Sequence, residues 1–173
     1  GVYTSKSLSL FETGEMLFRG DEPSPTRSSV LVRLGHSHVR FGTFQRHAFL
    51  GERAQLARLV DYTVHHHFPM LAAPAVDDTP AALLGAVVRR SAALAASWMM
   101  AGFVHGVMNT DNMNVTGESF DYGPYRFLPT YGPEFTGAYF GHHGLYAFGR
   151  QPAIVEWNLG QLAKALSHLS PRA

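Results

Sequence analysis

An α+β fold, predominantly helical, is predicted by three observations. Residues 52–66, 80–100 and 152–169 each carry apolar side chains at helical spacing. Residues 29–34, S-V-L-V-R-L, form a β-branched run bounded by turn residues, which is a strand signal. Finally, 46% of the 173 residues are hydrophobic with no low-complexity tract, enough for one real core.

In chain order, residues 4–13, T-S-K-S-L-S-L-F-E-T, read as a short helix with Thr4 or Ser5 as cap and Gly14 as stop. Met16 and Phe18 alternate with polar neighbours, so a short strand is expected there. Residues 20–26 are loop. The strand over 29–34 runs into G-H-S-H-V-R-F-G, which sets Arg33 and Arg40 on either side of a turn. Two guanidinium forks on one loop suit phosphate oxygens. Spacing alone, however, favours two solvated arginines.

Residues 43–49 predict one or two helical turns. In 52–66, Leu56, Leu59, Val60, Thr63 and Val64 define one buried stripe, and Pro69 ends the helix. His65, His66 and His67 are adjacent and point in different directions, so a polar helix end near the negative pole of the dipole is expected rather than a chelate. Residues 71–78 are loop. Thr79 as cap with Pro80 at the first helical position starts the alanine-rich helix to Met100. Its predicted buried face is Leu84, Val87, Val88, Leu94, Ala95 and Trp98, and Ala101-Gly102 breaks it. After Gly123-Pro124 comes an aromatic, glycine-rich segment with Phe127, Tyr131, Phe135, Tyr139, Phe140 and Tyr146, expected to pack as loop on the core. His142-His143 has no acidic neighbour that would make it a metal pair. The last helix, 152–169, has Ile154, Trp157, Leu162, Ala165, Leu166 and Leu169 on its stripe, and Ser170-Pro171 stops it.

The chemistry is concentrated in residues 105–123, H-G-V-M-N-T-D-N-M-N-V-T-G-E-S-F-D-Y-G. Protein kinases place a base in H-R-D-x-x-x-x-N, bind metal through that Asn, and bind more metal through the Asp of D-F-G. His105 to Asn112 keeps the His-to-Asn spacing, and Asp121-Tyr122-Gly123 stands where D-F-G would come. Val107 occupies the place of the base, and an aliphatic chain accepts no proton. A different acid, Asp111, precedes the Asn. Carboxylate and amide oxygens suit a hard ion such as Mg²⁺. The sequence between Asn112 and Asp121 predicts a short hairpin, out along 113–116, turning at Gly117-Glu118 and back along Ser119-Phe120, which brings Asp111, Asn112 and Asp121 to one site.

Composition excludes several classes. A formal net charge of +1 provides no global field for nucleic acid or a membrane surface. Zero cysteines exclude disulfides, thiolate metal sites and a Cys nucleophile, and fit a reducing compartment. No stretch reaches the ~20 apolar residues of a membrane span. A chain that begins at Gly1 without Met or signal peptide is expected to be a piece of a longer protein.

H-G-V-M-N-T-D-N-M and F-D-Y-G-P, together with R-L-G-H-S-H-V-R-F-G-T-F-Q, T-G-E, G-L-Y-A-F-G-R-Q-P and W-N-L-G-Q-L-A, resemble the selenoprotein O family of protein adenylyltransferases. These blocks span nearly the whole chain. The resemblance implies a protein-kinase-like fold, with residues 1–42 ending the nucleotide lobe and 43–173 belonging to the helical lobe. It implies Asp111 as catalytic acid/base, Asn112 and Asp121 as ligands of Mg²⁺ or Mn²⁺, and Arg33, Arg40 and Asp121 as nucleotide contacts. The implied reaction moves AMP, or alternatively UMP, from ATP or its analogue to Ser, Thr or Tyr hydroxyls of protein substrates. The glycine-rich phosphate loop, strand Lys and helix Glu of the family are absent from this sequence, so the chain alone is expected to be inactive. The implied location is the cytoplasm in a bacterium and the mitochondrion in a eukaryote. The rival readings are an atypical kinase, which Val107 opposes, and a non-catalytic pseudokinase module binding nucleotide or a partner, which the retained Asn112 and Asp121 oppose.

Overall fold

The computed structural model describes residues 1–20, 23–72, 77–138 and 143–170. The fold is α+β: four α-helices and two small two-stranded sheets. Strands β1 (Lys6–Leu17) and β2 (Thr26–Leu34) pair antiparallel, with Lys6 opposite Leu34 and Leu17 opposite Thr26. The expected helix over 4–13 is therefore corrected to a strand. Ser7, Leu8, Ser9 and Leu10 alternate with the period of two that a pleat imposes, and Gly14, at φ +79°, lies in an irregularity of the ribbon between Glu12 and Met16 rather than at a helix stop. Met16 belongs to the same strand, and the expected strand at 29–34 begins earlier, at Thr26.

Helices α1 (Phe41–Phe49), α2 (Arg53–His67), α3 (Thr79–Ala101) and α4 (Gln151–Leu166) follow, each within a few residues of expectation. Helix α2 buries Leu56, Val60, Thr63 and Val64, four of its five predicted stripe residues, with Leu59 partly buried. The cap of α3 is Asp78, not Thr79: its carboxylate accepts from the Ala81 amide at 3.1 Å, and Pro80 sits in the first turn as expected. The α3 face is rotated from the predicted one. Leu83, Ala86 and Ser91 are buried with Val87, Leu94, Ala95 and Trp98, whereas Leu84 is only partly buried and Val88 faces outward. Gly102, at φ +63°, closes α3 in the left-handed conformation and delivers the chain into β3 (Phe103–Val104), which pairs with β4 (Arg126–Phe127).

Helix α4 packs on α1 and α3, and Val155, Leu162, Ala165 and Leu166 enter the core. Trp157, expected on that stripe, is 57% exposed, because the buried positions of α4 are taken by Gln151, Val155 and Asn158 on the adjoining face. Those two amides hold the chain that leads to the site. Gln151 accepts from the His105 amide at 2.9 Å and donates to the Phe103 carbonyl at 2.9 Å; Asn158 donates to the Met108 carbonyl at 2.9 Å. Tyr131 and Phe127 of the aromatic segment are exposed and Phe148 is buried, while Tyr139, Phe140, His142 and Pro171 lie outside the described residues.

His105 is almost wholly buried between Trp98 and Phe103, ring centroids 5.3 and 6.2 Å away, and its ring nitrogens have no hydrogen-bond partner among the described residues. Burial pushes its pKa down to about 4, only partly offset by the Asp121 carboxylate and the backbone of His105 and Val107. The unfolded chain binds this proton below about pH 6.5 and the folded chain only below about 4, so stability is complete above that window and falls as pH drops through it. The expected loss is up to about 3 kcal/mol, read as denaturant midpoints across the window. His105→Leu should flatten the slope between those limits, and an unchanged slope would contradict the assignment.

Candidate functional site

The site is built where residues 36–41 run alongside residues 113–118. The Phe41 amide donates to the Met113 carbonyl at 3.0 Å and the Val115 amide to the Val39 carbonyl at 3.1 Å, with Arg40 bridged antiparallel to Asn114. The Asn114 side chain donates to the Ser37 carbonyl at 2.5 Å and accepts from Thr116. Glu118, whose side chain is fully buried, accepts from the His36 amide at 2.9 Å and meets His36 Nδ1 at 3.0 Å. A buried carboxylate without such partners costs several kcal/mol, so this pair fixes the register of the two segments.

The expected hairpin between Asn112 and Asp121 does not form. Each arm pairs elsewhere, Asn114 with Arg40 and Ser119 with Thr4, and the turn closes from the Gly117 amide to the Asn114 carbonyl at 3.0 Å. Gly117, at φ +70°, leaves no room for a Cβ against Arg90 of α3, which explains the glycine there.

Asn109 caps a 3₁₀ turn over Thr110–Asn112, its side chain accepting from the Asp111 and Asn112 amides at 3.1 Å each. The Asn112 amide group donates to the Val107 carbonyl at 2.8 Å. That bond uses its nitrogen and leaves the side-chain oxygen as the available ligand atom. Asp111 is exposed and lies against Gly42 in the first turn of α1. It lines a cleft of about 820 Å³ between α1 and α4.

On the other side of the loop, Arg33 donates to the Phe120 carbonyl, and its guanidinium lies 5.1 Å from the Tyr122 ring centroid. Arg40 lies 5.2 Å from the Phe120 ring centroid. Both arginines thus rest on the two residues flanking Asp121, and Tyr122 is pinned by its hydroxyl donating to the Ser119 carbonyl at 2.9 Å. Of the sequence-predicted residues, Arg33 and Arg40 rest on the two chain neighbours of Asp121, and Asp111 lines the α1–α4 cleft. Among the described residues no three His, Asp or Glu side chains gather as a metal cluster, His65, His66 and His67 included. The Asn112 side-chain oxygen and the Asp121 carboxylate are the donor types that suit a hard cation, which would complete its shell with phosphate and water oxygens.

His36, Ser37, Asn114, Glu118, Gly42, Gln151 and Asn158 escaped sequence reasoning. Each works through a partner tens of residues away, and no local pattern announces it.

The family model described as Protein adenylyltransferase SelO matches residues 1–173. The chain belongs to that family. Among similar proteins, the protein nucleotidyltransferase YdiU of Synechocystis sp. is 52% identical over 172 residues, 99% of this chain and 36% of that protein. Its counterparts in Gloeobacter violaceus and Chromobacterium violaceum are 51% and 48% identical, covering 100% and 96% of this chain and 35% and 34% of theirs. The chain spans about a third of the length of these SelO-family relatives. No helix among the described residues is long and apolar enough to cross a membrane.

Proposed function

We propose that this chain supplies the metal-binding and acceptor-activating part of a cytoplasmic protein adenylyltransferase of kinase-like fold, residues 1–42 ending its nucleotide lobe and 43–173 opening its helical lobe. The observation that carries the reading is the pairing of residues 36–41 with 113–118. Arg33 and Arg40 rest on Phe120 and Tyr122, the chain neighbours of Asp121, while Asp111 lines an open cleft.

The Asn112 side-chain oxygen and the Asp121 carboxylate hold Mg²⁺ or Mn²⁺, which when bound neutralises phosphate charge. Arg33 and Arg40 orient the phosphates: one donor of Arg33 is spent on Phe120, and the rest of the fork is available to oxygens. Asp111 accepts the proton of a Ser, Thr or Tyr hydroxyl on a protein acceptor. The hydroxyl oxygen bonds to the α-phosphorus of ATP, the bond from that phosphorus to the bridging oxygen breaks, and pyrophosphate leaves with the electron pair. Val107 leaves the usual kinase base position without an acceptor, which favours Asp111 and α-phosphoryl chemistry over γ-transfer.

Full-length protein carrying this chain, incubated with α-labelled or γ-labelled ATP and protein acceptors, should deposit label from the α position only. Label from the γ position would mean a kinase, and nucleotide binding without either label would mean a pseudokinase module. α-Labelled UTP in parallel decides between AMP and UMP.

A further inference from the structure

We infer that the cleft between α1 and α4 is the acceptor-docking groove, and that it selects an acidic protein segment placing its hydroxyl at Asp111; this rests on the transfer reading above. Asp111 and Thr110 form one wall, and Asp111 is the sole acidic residue lining the cleft. From α1 come Gln45, Arg46 and Phe49, and from α4 Gln161 and Lys164. About 820 Å³ is room for several side chains of a docked segment.

Arg46 and Lys164 are exposed and make no ion pair among the described residues. Each sits in the last turn of its helix and complements the dipole there, but that role does not require both to line the same cleft as Asp111. Arg53 donates to the carbonyl of His168, another lining residue, and adds a third cation at the margin. Against this cationic rim, Phe49 is 90% exposed among the described residues, an open aromatic surface. A rigid aromatic beside paired cations matches a segment carrying Asp or Glu with one apolar residue near the acceptor hydroxyl. A basic segment would bring like charge to the rim and lose the only anion, Asp111, to ion pairing.

The test uses full-length protein carrying this chain and fluorescent synthetic peptides: one Ser, Thr or Tyr flanked by Asp and Glu, and the same peptide flanked by Lys. Binding is read by anisotropy in the presence of MgATP, and transfer by α-labelled ATP. The acidic peptide should bind at least about tenfold more tightly than the basic one. Arg46→Glu with Lys164→Glu should erase that preference through KM with kcat little changed, and Arg46→Lys with Lys164→Arg should restore it. MgATP affinity, measured in parallel, reports that the variant is folded. If the double reversal does not fold, wild type in rising salt reads the same contacts, since acid-selective binding to an open rim must weaken as charges are screened.

Equal binding of both peptides, or acid preference surviving the reversal, overturns the groove. Acid-selective binding that is lost on reversal, in a protein that transfers no label, upholds the groove and overturns the transfer reading instead.

Discussion

Gly42→Ala in the full-length protein should remove nucleotidyl transfer while leaving the chain folded and slightly more stable. Gly42 lies inside α1 with ordinary helical backbone, so alanine is gained at no backbone strain and with a helix-propensity benefit of up to about 1 kcal/mol. A Cβ at this position, however, would overlap Oδ1 of Asp111 and stand 2.8 Å from its Cγ, while the Asp111 Cα is 3.5 Å away. The backbone of the loop therefore has room and the carboxylate does not. The carboxylate must rotate out of the position it holds against α1, and with it the geometry proposed for proton transfer is lost. Displacing a proton acceptor by an ångström or more costs about a hundredfold in rate. Denaturant midpoints, MgATP affinity and α-label transfer separate the effects: the first two hold or rise, the third collapses. A Gly42→Ala protein with full transfer would show that Asp111 does not act from the position seen here.

The helices were legible because their signal is local. In α2 the apolar stripe of Leu56, Val60 and Val64 repeats within the element, and Pro69 and Gly102 punctuate the chain through their own backbone chemistry. Residues 4–13 misled because Thr4 and Gly14 imitate a cap and a stop. The alternation of Ser7, Leu8, Ser9 and Leu10 carried the true period, yet both faces of the ribbon are exposed, so no buried stripe reinforced it. Trp157 was placed inward by its helical spacing from Ile154, whereas α4 reserves its buried face for residues that include Gln151 and Asn158, whose partners at Phe103, His105 and Met108 lie about fifty residues back. The candidate site shows the same divide. Residue types at 111, 112 and 121 were readable as oxygen ligands from spacing, but the scaffold around them is the pairing of 36–41 with 113–118, in which Ser37 and Asn114 stand 77 positions apart. Nothing within either segment specifies the other, which is why a hairpin closed on itself was expected and a turn held by two distant segments was found.

Asp121→Ala and Asp111→Ala should fail in different ways, and the difference tests the division of labour between the two sides of the loop. Asp121 stands in the chain between Phe120 and Tyr122, the residues on which Arg40 and Arg33 rest. Removing it deletes a proposed metal ligand and leaves Arg33 and Arg40 in place on Phe120 and Tyr122. Loss of a mere supporting partner costs 10–100-fold in metal affinity, so loss of a ligand should weaken metal-dependent ATP binding by at least about a hundredfold. Residual binding without metal should persist through the arginines, and it should be salt-sensitive. Asp111 makes no ion pair with either arginine among the described residues; it lines the α1–α4 cleft, its amide held by the Asn109 side chain. Asp111→Ala should therefore bind MgATP as the wild type does and transfer nothing to the acceptor, a loss confined to kcat. Titrating Mg²⁺ against a fluorescent ATP analogue reads the first effect, and single-turnover transfer from α-labelled ATP reads the second. An Asp121→Ala protein that binds MgATP normally and still modifies its acceptor would remove Asp121 from the metal site, and the 120–122 segment would then be a seat for Arg33 and Arg40 alone.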